Sequence, residues 1–229
     1  MTFPFFDVIK ESLGQKYLAD ILALRATKTQ KPDGSYVTQG DLLAQKVILE
    51  AAHEAFVNPF IVSEEISLNE TEPAPEQMVI VIDPIDGTEN FTSGLMEWGV
   101  SISCYQNGRH VASLLGLPEM NLWLQSGDTL TRHQSRIRAL SSSLSKEQII
   151  ASTTGYEYRI IGCCVCNMLN VIRGSFFSFE NPKGAQSWDI LAGLNLALEQ
   201  NLNVTVEGKT YAGEYLSAHQ KYRFKIEQR

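Results

Sequence analysis

Met78-Val79-Ile80-Val81-Ile82-Asp83-Pro84-Ile85-Asp86-Gly87-Thr88-Glu89-Asn90-Phe91 sets two carboxylates three residues apart directly behind an apolar run. The run is too short for a buried helix and rich in β-branched residues, so it predicts an interior strand that delivers Asp83 at its carboxyl end. Pro84 brings no backbone N–H and stops the ladder. A turn through Ile85 can leave that carbonyl oxygen free while Asp83 and Asp86 point into one space, a set of hard oxygen ligands suited to Mg²⁺. Gly87 allows close backbone approach, and Thr88 adds a hydroxyl. If a helical turn begins there, the free N–H groups of Gly87 and Thr88 favour a phosphate beside the metal. The plain structural alternative is a Pro/Asp/Gly turn that holds nothing.

Outward from this stretch, the chain divides into helical and β-rich tracts. Phe6, Ile9, Leu13, Tyr17 and Ile21 recur at helical spacing and predict an amphipathic helix over the first 25 residues. Residues 27–36 form a polar turn or hairpin. From Thr38 to Phe56 helical periodicity resumes, and Thr38-x-x-Asp41 has the form of a capping box. From Val79 to Leu124 short β segments alternate with turns, Asn107-Gly108 being the clearest hairpin signal, which predicts an antiparallel meander. Serine-rich Ser135 to Ser145 reads as a join between halves 1–138 and 139–229 of one catalytic unit. Beyond it, a strand is expected over Gln148 to Ser152 and a helix over Gly162 to Arg173 stopped by Gly174. A strand over Ser175 to Glu180 precedes a Pro/Gly loop over Asn181 to Ser187, and an apolar helix over Trp188 to Leu198 takes Ser187 as N-cap. Val204 to Val206 and Tyr222 to Ile226 predict closing strands.

The 229 residues are 44% apolar and 20% charged, ordinary globular values. A formal net charge of −7 argues against binding a nucleic-acid polymer, which requires a basic surface. The first six residues lack the basic and apolar regions of a signal peptide, and no segment reaches membrane-spanning length, so a cytoplasmic protein without a membrane partner is expected. Of four cysteines, Cys163, Cys164 and Cys166 crowd together, but no second pair or nearby histidine completes a zinc site, and buried thiols are the expectation.

Three further elements accompany the Asp-Pro-Ile-Asp stretch. Ser63-Glu64-Glu65 follows Phe60-Ile61-Val62 and puts Glu64 nineteen residues before Asp83; Trp188-Asp189-Ile190-Leu191-Ala192-Gly193 lies near the end; and Lys31-Pro32-Asp33-Gly34-Ser35-Tyr36-Val37-Thr38-Gln39-Gly40-Asp41 lies near the start. In this order they resemble the inositol monophosphatase family, marked by D-P-[IL]-D-G-T-x-N-F, a preceding E-E pair, K-x-D-x-S-x-V-T-x-x-D and W-D-x-A-A-G. The first motif matches at every fixed position, and the last departs by one Leu for Ala. The segment 153–161 and the chain after Gly193 are shorter than is typical of the family.

The resemblance implies a mixed α/β (α+β) fold, a sugar-phosphatase-like αβαβα layered sandwich with an antiparallel N-terminal sheet and a smaller C-terminal α/β half. It also implies a lithium-sensitive phosphatase with two or three Mg²⁺ ions, acting on a small phosphorylated substrate such as inositol 1-phosphate, and possibly a homodimer. By resemblance, Glu64, Asp83 and the Ile85 carbonyl hold one ion, and Asp83, Asp86 and Asp189 hold a second. A third, weaker ion lies near Glu64. Thr88 paired with Asp41 orients the attacking water, Gly87 and Thr88 meet the phosphate, and Glu180 stands near a substrate hydroxyl. Asp41 as a helix cap and Asp189 in a first helical turn each have a purely structural reading as well. Glu65 either orients waters or is simply solvated. A 3′(2′),5′-bisphosphate nucleotidase and a fructose-1,6-bisphosphatase use the same core motif, and a catalytically inactive binding or regulatory member of the family is the non-enzymatic alternative.

Overall fold

A computed structural model describes residues 3–32, 34–66, 73–74 and 76–229; Asp33 of the Lys31–Asp41 element lies outside them. Two helices, α1 (Pro4–Glu11) and α2 (Leu18–Ala23), replace the single N-terminal helix that the periodicity predicts. Between them the backbone widens, with Tyr17 N–H donating to the Ser12 carbonyl five residues back. The wider turn contains Gly14, where a β-carbon would stand 3.1 Å from the Trp123 ring. Phe6, Ile9, Leu13 and Ile21 are nonetheless all buried, so the apolar stripe survives the break.

A small hairpin, β1 (Thr29–Gln30) and β2 (Tyr36–Val37), leads into α3 (Gln39–Ala55). The first sheet takes β3 (Phe60–Ser63), β4 (Met78–Asp86), β5 (Gly99–Gln106), β6 (Arg109–Leu117) and β7 (Leu122–Gln125) in that spatial order, with the short α4 (Thr88–Thr92) following β4. The meander from β4 to β7 is antiparallel as expected, and Asn107 and Gly108 take positive φ at its β5–β6 turn. Edge strand β3 runs parallel to β4, so the sheet is not antiparallel throughout.

Both faces of β4 are covered, which is why its sequence is a continuous apolar run rather than an alternation. Ile80 and Ile82 pack with Ile102, Cys104 and Leu114 against the helices α1 to α3. Val79, Val81, Tyr105 and Leu115 turn the other way, toward α6 (Cys164–Ile172) and α7 (Ser187–Glu199). The far side of those helices meets a second, six-stranded sheet through Phe179, Val204, Phe224 and Ile226. Its strands are β8 (Ile137–Leu140), β9 (Glu157–Arg159), β10 (Ser178–Ala185), β11 (Asn203–Val206), β12 (Lys209–Thr210) and β13 (Tyr222–Glu227), in the order β12-β11-β13-β10-β8-β9. Helix, sheet, helix and sheet layers thus alternate in a mixed α/β fold, four layers in the order of the expected αβαβα sandwich. Among the described residues, no helix is long and apolar enough to cross a membrane.

Three local expectations are corrected. Residues 148–152 belong to helix α5 (Lys146–Ser152), not a strand, because Ser145 and Gln148 form a capping box; the helix has no buried residue. Strand β10 runs past Glu180 to Ala185, since Asn181 and Ala185 pair with Phe224 and Tyr222 of β13 around a register shift that takes up the Pro182-Lys183-Gly184 kink. Gln186, not Ser187, is the N-cap of α7.

Strand β5 packs tightly on α6. A methyl group on Gly99 would stand 2.4 Å from Val165 Cγ1 and 2.8 Å from the Gly116 carbonyl oxygen, with a backbone wall on one side. Gly99→Ala is therefore expected to lower unfolding free energy by about 2 kcal/mol through overpacking, read from the shift of the urea midpoint at unchanged slope.

Candidate metal centre

The ladder between β4 and β5 breaks at the Asp-Pro-Ile-Asp stretch. Asp83 pairs with Ser101 and Asp86 with Gly99, so β4 has one residue more than its partner and bulges at Pro84-Ile85. The bulge is closed by the Ile85 N–H donating to Asp83 Oδ1 at 3.1 Å. Gly87 then takes φ +82° as the N-cap of α4 and packs on Cys163, whose Cβ would lie 3.0 Å from a β-carbon at position 87.

Three carboxylates from three elements converge here. Oxygens of Glu64, just beyond β3, of Asp83 on β4 and of Asp189 in the first turn of α7 lie within 4.8 Å of one another. Asp83 is 1% exposed and its Oδ2 has no hydrogen-bond partner. An orphaned carboxylate oxygen inside an acidic cluster is costly unless a cation is present. Burial, then the charges of Glu64, Asp86 and Asp189, push the Asp83 carboxyl well above its ordinary range. Asp189 rises for the same reasons, burial first and then Asp86 and Glu64. Asp189 Oδ2 also accepts the Gln186 N–H at 2.9 Å, so its helix-capping reading holds at the same time. Hard carboxylate oxygens without cationic partners on Asp83 and Asp189 fit Mg²⁺.

Asp86 lies beside this group but is held from another direction. Its Oδ2 accepts the Cys163 thiol at 3.0 Å and the Val165 N–H at 2.5 Å. Burial raises its carboxyl to about 6 against these hydrogen bonds. Cys163 is itself the N-cap of α6, taking the Cys166 N–H at 3.2 Å. The expected buried thiols are found at Cys104, Cys163 and Cys166, while Cys164 is half-buried. What the sequence reading missed is that one of these thiols grips a predicted metal ligand, and nothing in the local pattern marks it.

Thr88 and Asp41 meet as expected, with Thr88 Oγ1 at 3.4 Å from Asp41 Oδ1 and 3.2 Å from the Ile85 carbonyl oxygen. The other oxygen of Asp41 accepts Thr38 N–H at 2.8 Å and Thr38 Oγ1–H at 2.5 Å, so one buried carboxylate both caps α3 and faces Thr88. Asn90, quoted above only as part of a motif, donates to the Glu97 and Ile161 carbonyl oxygens at 2.8 Å each and ties α4 to the chain before α6. Glu180 is not brought into the cluster. It pairs across the sheet with Lys225 and lines a separate pocket of about 260 Å³ with Arg223 and Lys225.

Lys31, from the motif near the start of the chain, also reaches the site. It places Nζ 2.9 Å from Glu64 Oε1 and 2.7 Å from Glu65 Oε1. Burial opposes its charge, but the two glutamates outweigh that and raise its pKa. Glu65 is accordingly an ion-pair partner rather than a merely solvated neighbour, and burial lifts its carboxyl to about 6.

Comparison with known proteins agrees with this arrangement. Residues 8–158 match the inositol monophosphatase family. A fructose-1,6-bisphosphatase/inositol-1-monophosphatase of Thermotoga maritima is 28% identical over 201 residues, covering 79% of this chain and 76% of that one. Nus factor SuhB of Pasteurella multocida is 36% identical over 190 residues, 72% of this chain and 69% of its own. Among solved structures, a Staphylococcal IMPase-I complexed with products superimposes with a TM-score of 0.80 over all of this chain and 92% of that chain, at 20% identity. The convergence of the four motifs on one acidic site and the match over residues 8–158 lead to one assignment: the chain belongs to the inositol monophosphatase family and is a phosphoric monoester hydrolase.

Proposed function

We propose that the protein is a Mg²⁺-dependent phosphomonoesterase acting on inositol 1-phosphate or a similar polyol or sugar phosphate. The observation that carries this reading is the convergence of Glu64, Asp83 and Asp189 around an unpartnered Asp83 oxygen. In it, Glu64, Asp83 and the Ile85 carbonyl hold one ion, and Asp83, Asp86 and Asp189 hold a second. Bound Mg²⁺ supplies Lewis acidity, making a water more acidic and offsetting charge on the leaving oxygen.

The remaining work falls to the chain. A threonine hydroxyl alone is a poor base, so Thr88 Oγ1 orients the attacking water and passes its proton toward Asp41 Oδ1, 3.4 Å away. Asp41 is available for that because Thr38 occupies its other oxygen. The N–H groups of Gly87, whose positive φ sets the turn, and of Thr88 at the start of α4 receive the phosphate. Support for the substrate class comes from neighbours of the same fold, which include an IMPase/NADP phosphatase bound with D-inositol-1-phosphate and one complexed with Mg²⁺ and phosphate. The Thermotoga relative carries fructose-1,6-bisphosphatase in its name, which keeps a sugar bisphosphate as the second reading.

Phosphate release from inositol 1-phosphate, fructose 1,6-bisphosphate and 3′-phosphoadenosine 5′-phosphate, each with Mg²⁺ or a chelator, tests the reading. Chelator-sensitive turnover highest on inositol 1-phosphate is expected, and turnover indifferent to chelator would overturn it. Thr88→Ala is expected to lower kcat by about 10²-fold or more with little change in stability; Asp86→Asn should raise the Mg²⁺ concentration needed for half-maximal rate, and an Asp86→Asn enzyme at full rate in low Mg²⁺ would remove Asp86 from the site.

The raised carboxyls also set a pH dependence for the metal-free protein. A folded-state pKa above the unfolded value means that the native state binds more protons between the two. Deprotonation of Asp86 and Glu65, both near 6, therefore costs stability as pH rises. Without metal, the melting temperature should rise as pH is lowered from about 7 to about 5. Saturating Mg²⁺, which favours the ionised carboxylates, should flatten or reverse that slope; thermal scans with and without chelator measure both.

A further inference from the structure

The only lysine among the described residues that bridges the acidic site is Lys31, in the turn between β1 and β2, 33 residues before Glu64. Lys31 Nζ contacts Glu64 and Glu65 at once, with its side chain 19% exposed. Glu64 is also one of the three carboxylates whose oxygens lie within 4.8 Å of each other. The same glutamate therefore belongs to an ammonium ion pair and to the group suited to a divalent ion. A Lys ammonium is a compact point charge with three donors, able to neutralise two carboxylates but not to act as a Lewis acid.

We propose that Lys31 is a built-in counter-cation of the metal centre: it neutralises Glu64 and Glu65 when no divalent ion is bound, and cedes Glu64 while keeping Glu65 when one binds. The inference rests on the metal-centre reading above. Its physical basis is local. Asp83, Asp86, Asp189, Asp41, Glu64 and Glu65 bring six carboxylates close together, and among the described residues Lys31 is the one ammonium paired with any of them. Mutual repulsion among these groups weakens the metal-free fold, and an internal cation relieves part of it. The same ion pair must be partly broken for Glu64 to become a ligand, so Lys31 sets the divalent affinity as well. Contact with Glu65, which the proposal gives no metal role, leaves the ammonium a partner after Glu64 is ceded. Within the hairpin that carries Lys31, the Lys31 N–H closes onto the Ser35 carbonyl, and the Thr27 hydroxyl before it accepts the Gln39 N–H from α3. A sheet of two two-residue strands leaves its position to contacts of this kind.

Lys31→Met tests the proposal, with Lys28→Met as a control that removes the same charge from the same hairpin. Lys28 Nζ lies over the Tyr36 ring at 4.6 Å. Mg²⁺ titration by calorimetry and thermal scans of the chelated protein are both read. Lys31→Met is expected to bind Mg²⁺ roughly five- to tenfold tighter than wild type, the scale of one half-buried ion pair. It should also melt lower than wild type in chelator and gain more from Mg²⁺. Lys28→Met should follow wild type in both measurements. Unchanged or weaker Mg²⁺ binding by Lys31→Met, an undiminished melting temperature in chelator, or equal tightening in both variants would each overturn the counter-cation. Asp83→Asn separates this from the underlying reading: if wild type takes up no Mg²⁺, or Asp83→Asn takes it up equally well, the metal centre itself falls, whereas a failure confined to Lys31→Met leaves the centre standing.

Discussion

Repulsion among buried carboxylates is the constraint on which the rest of this structure turns. Asp83 is closed off from solvent with one oxygen unpartnered, beside Glu64 and Asp189 and with Asp86 near at hand. Such a group is tolerable only if something positive occupies the middle and if the carboxylates are prevented from swinging apart into water. Three of them are restrained by backbone N–H groups: Asp83 by Ile85 and Asp189 by Gln186, both local, and Asp86 by Val165 of α6. Those hydrogen bonds fix one oxygen and leave the other free to serve a cation.

The layering of the fold follows from the same need. The first sheet supplies Asp83 and Asp86 on β4, a helix on its far side supplies Asp41, and α7 between the sheets supplies Asp189. Gly87 and Gly99 are two points of close approach between these layers. Gly87 lets the turn after β4 rest on Cys163, and Gly99 lets β5 meet Val165 without overlap. The α6 N-terminus can then reach back to Asp86 across 79 positions of sequence between Asp86 and Val165. Packing and electrostatics are thus one problem here, since a shift of α6 away from β5 would release a buried carboxylate.

Dual use recurs in the polar groups. Asp41 completes the capping box of α3 with one oxygen and faces Thr88 with the other. Asp189 caps α7 and joins the acidic group. Cys163 caps α6 and donates to Asp86. In each case a residue type chosen by helix-end chemistry also has a donor or acceptor to spare, so a site assembled from helix ends needs few extra polar residues in the core.

The chain's sequence by itself determined what depends on neighbours a few residues away. The strand through Ile82, the Asn107-Gly108 hairpin and the Thr38-x-x-Asp41 cap are local events, governed by β-branching, turn conformation and short side-chain reach. The ladder does not end at Pro84 as its missing N–H predicts, because Asp86 pairs again with Gly99 of β5 beyond a bulge at Pro84-Ile85. At residues 148–152 two adjacent isoleucines suit a strand as well as a helix, and the Ser145–Gln148 cap decides between them. Strand β10 was cut short because Pro182 and Gly184 normally end a strand, whereas pairing with β13 carries it on to Ala185. Glu180 came from the resemblance, and in the fold it lies on β10 opposite Lys225, beside a pocket lined by Arg223 and Lys225. Only the tertiary structure decided that Cys163 holds Asp86 and that Lys31 bridges Glu64 and Glu65. Those contacts join segments 77 and 33 residues apart, and their geometry exists only after the layers have packed.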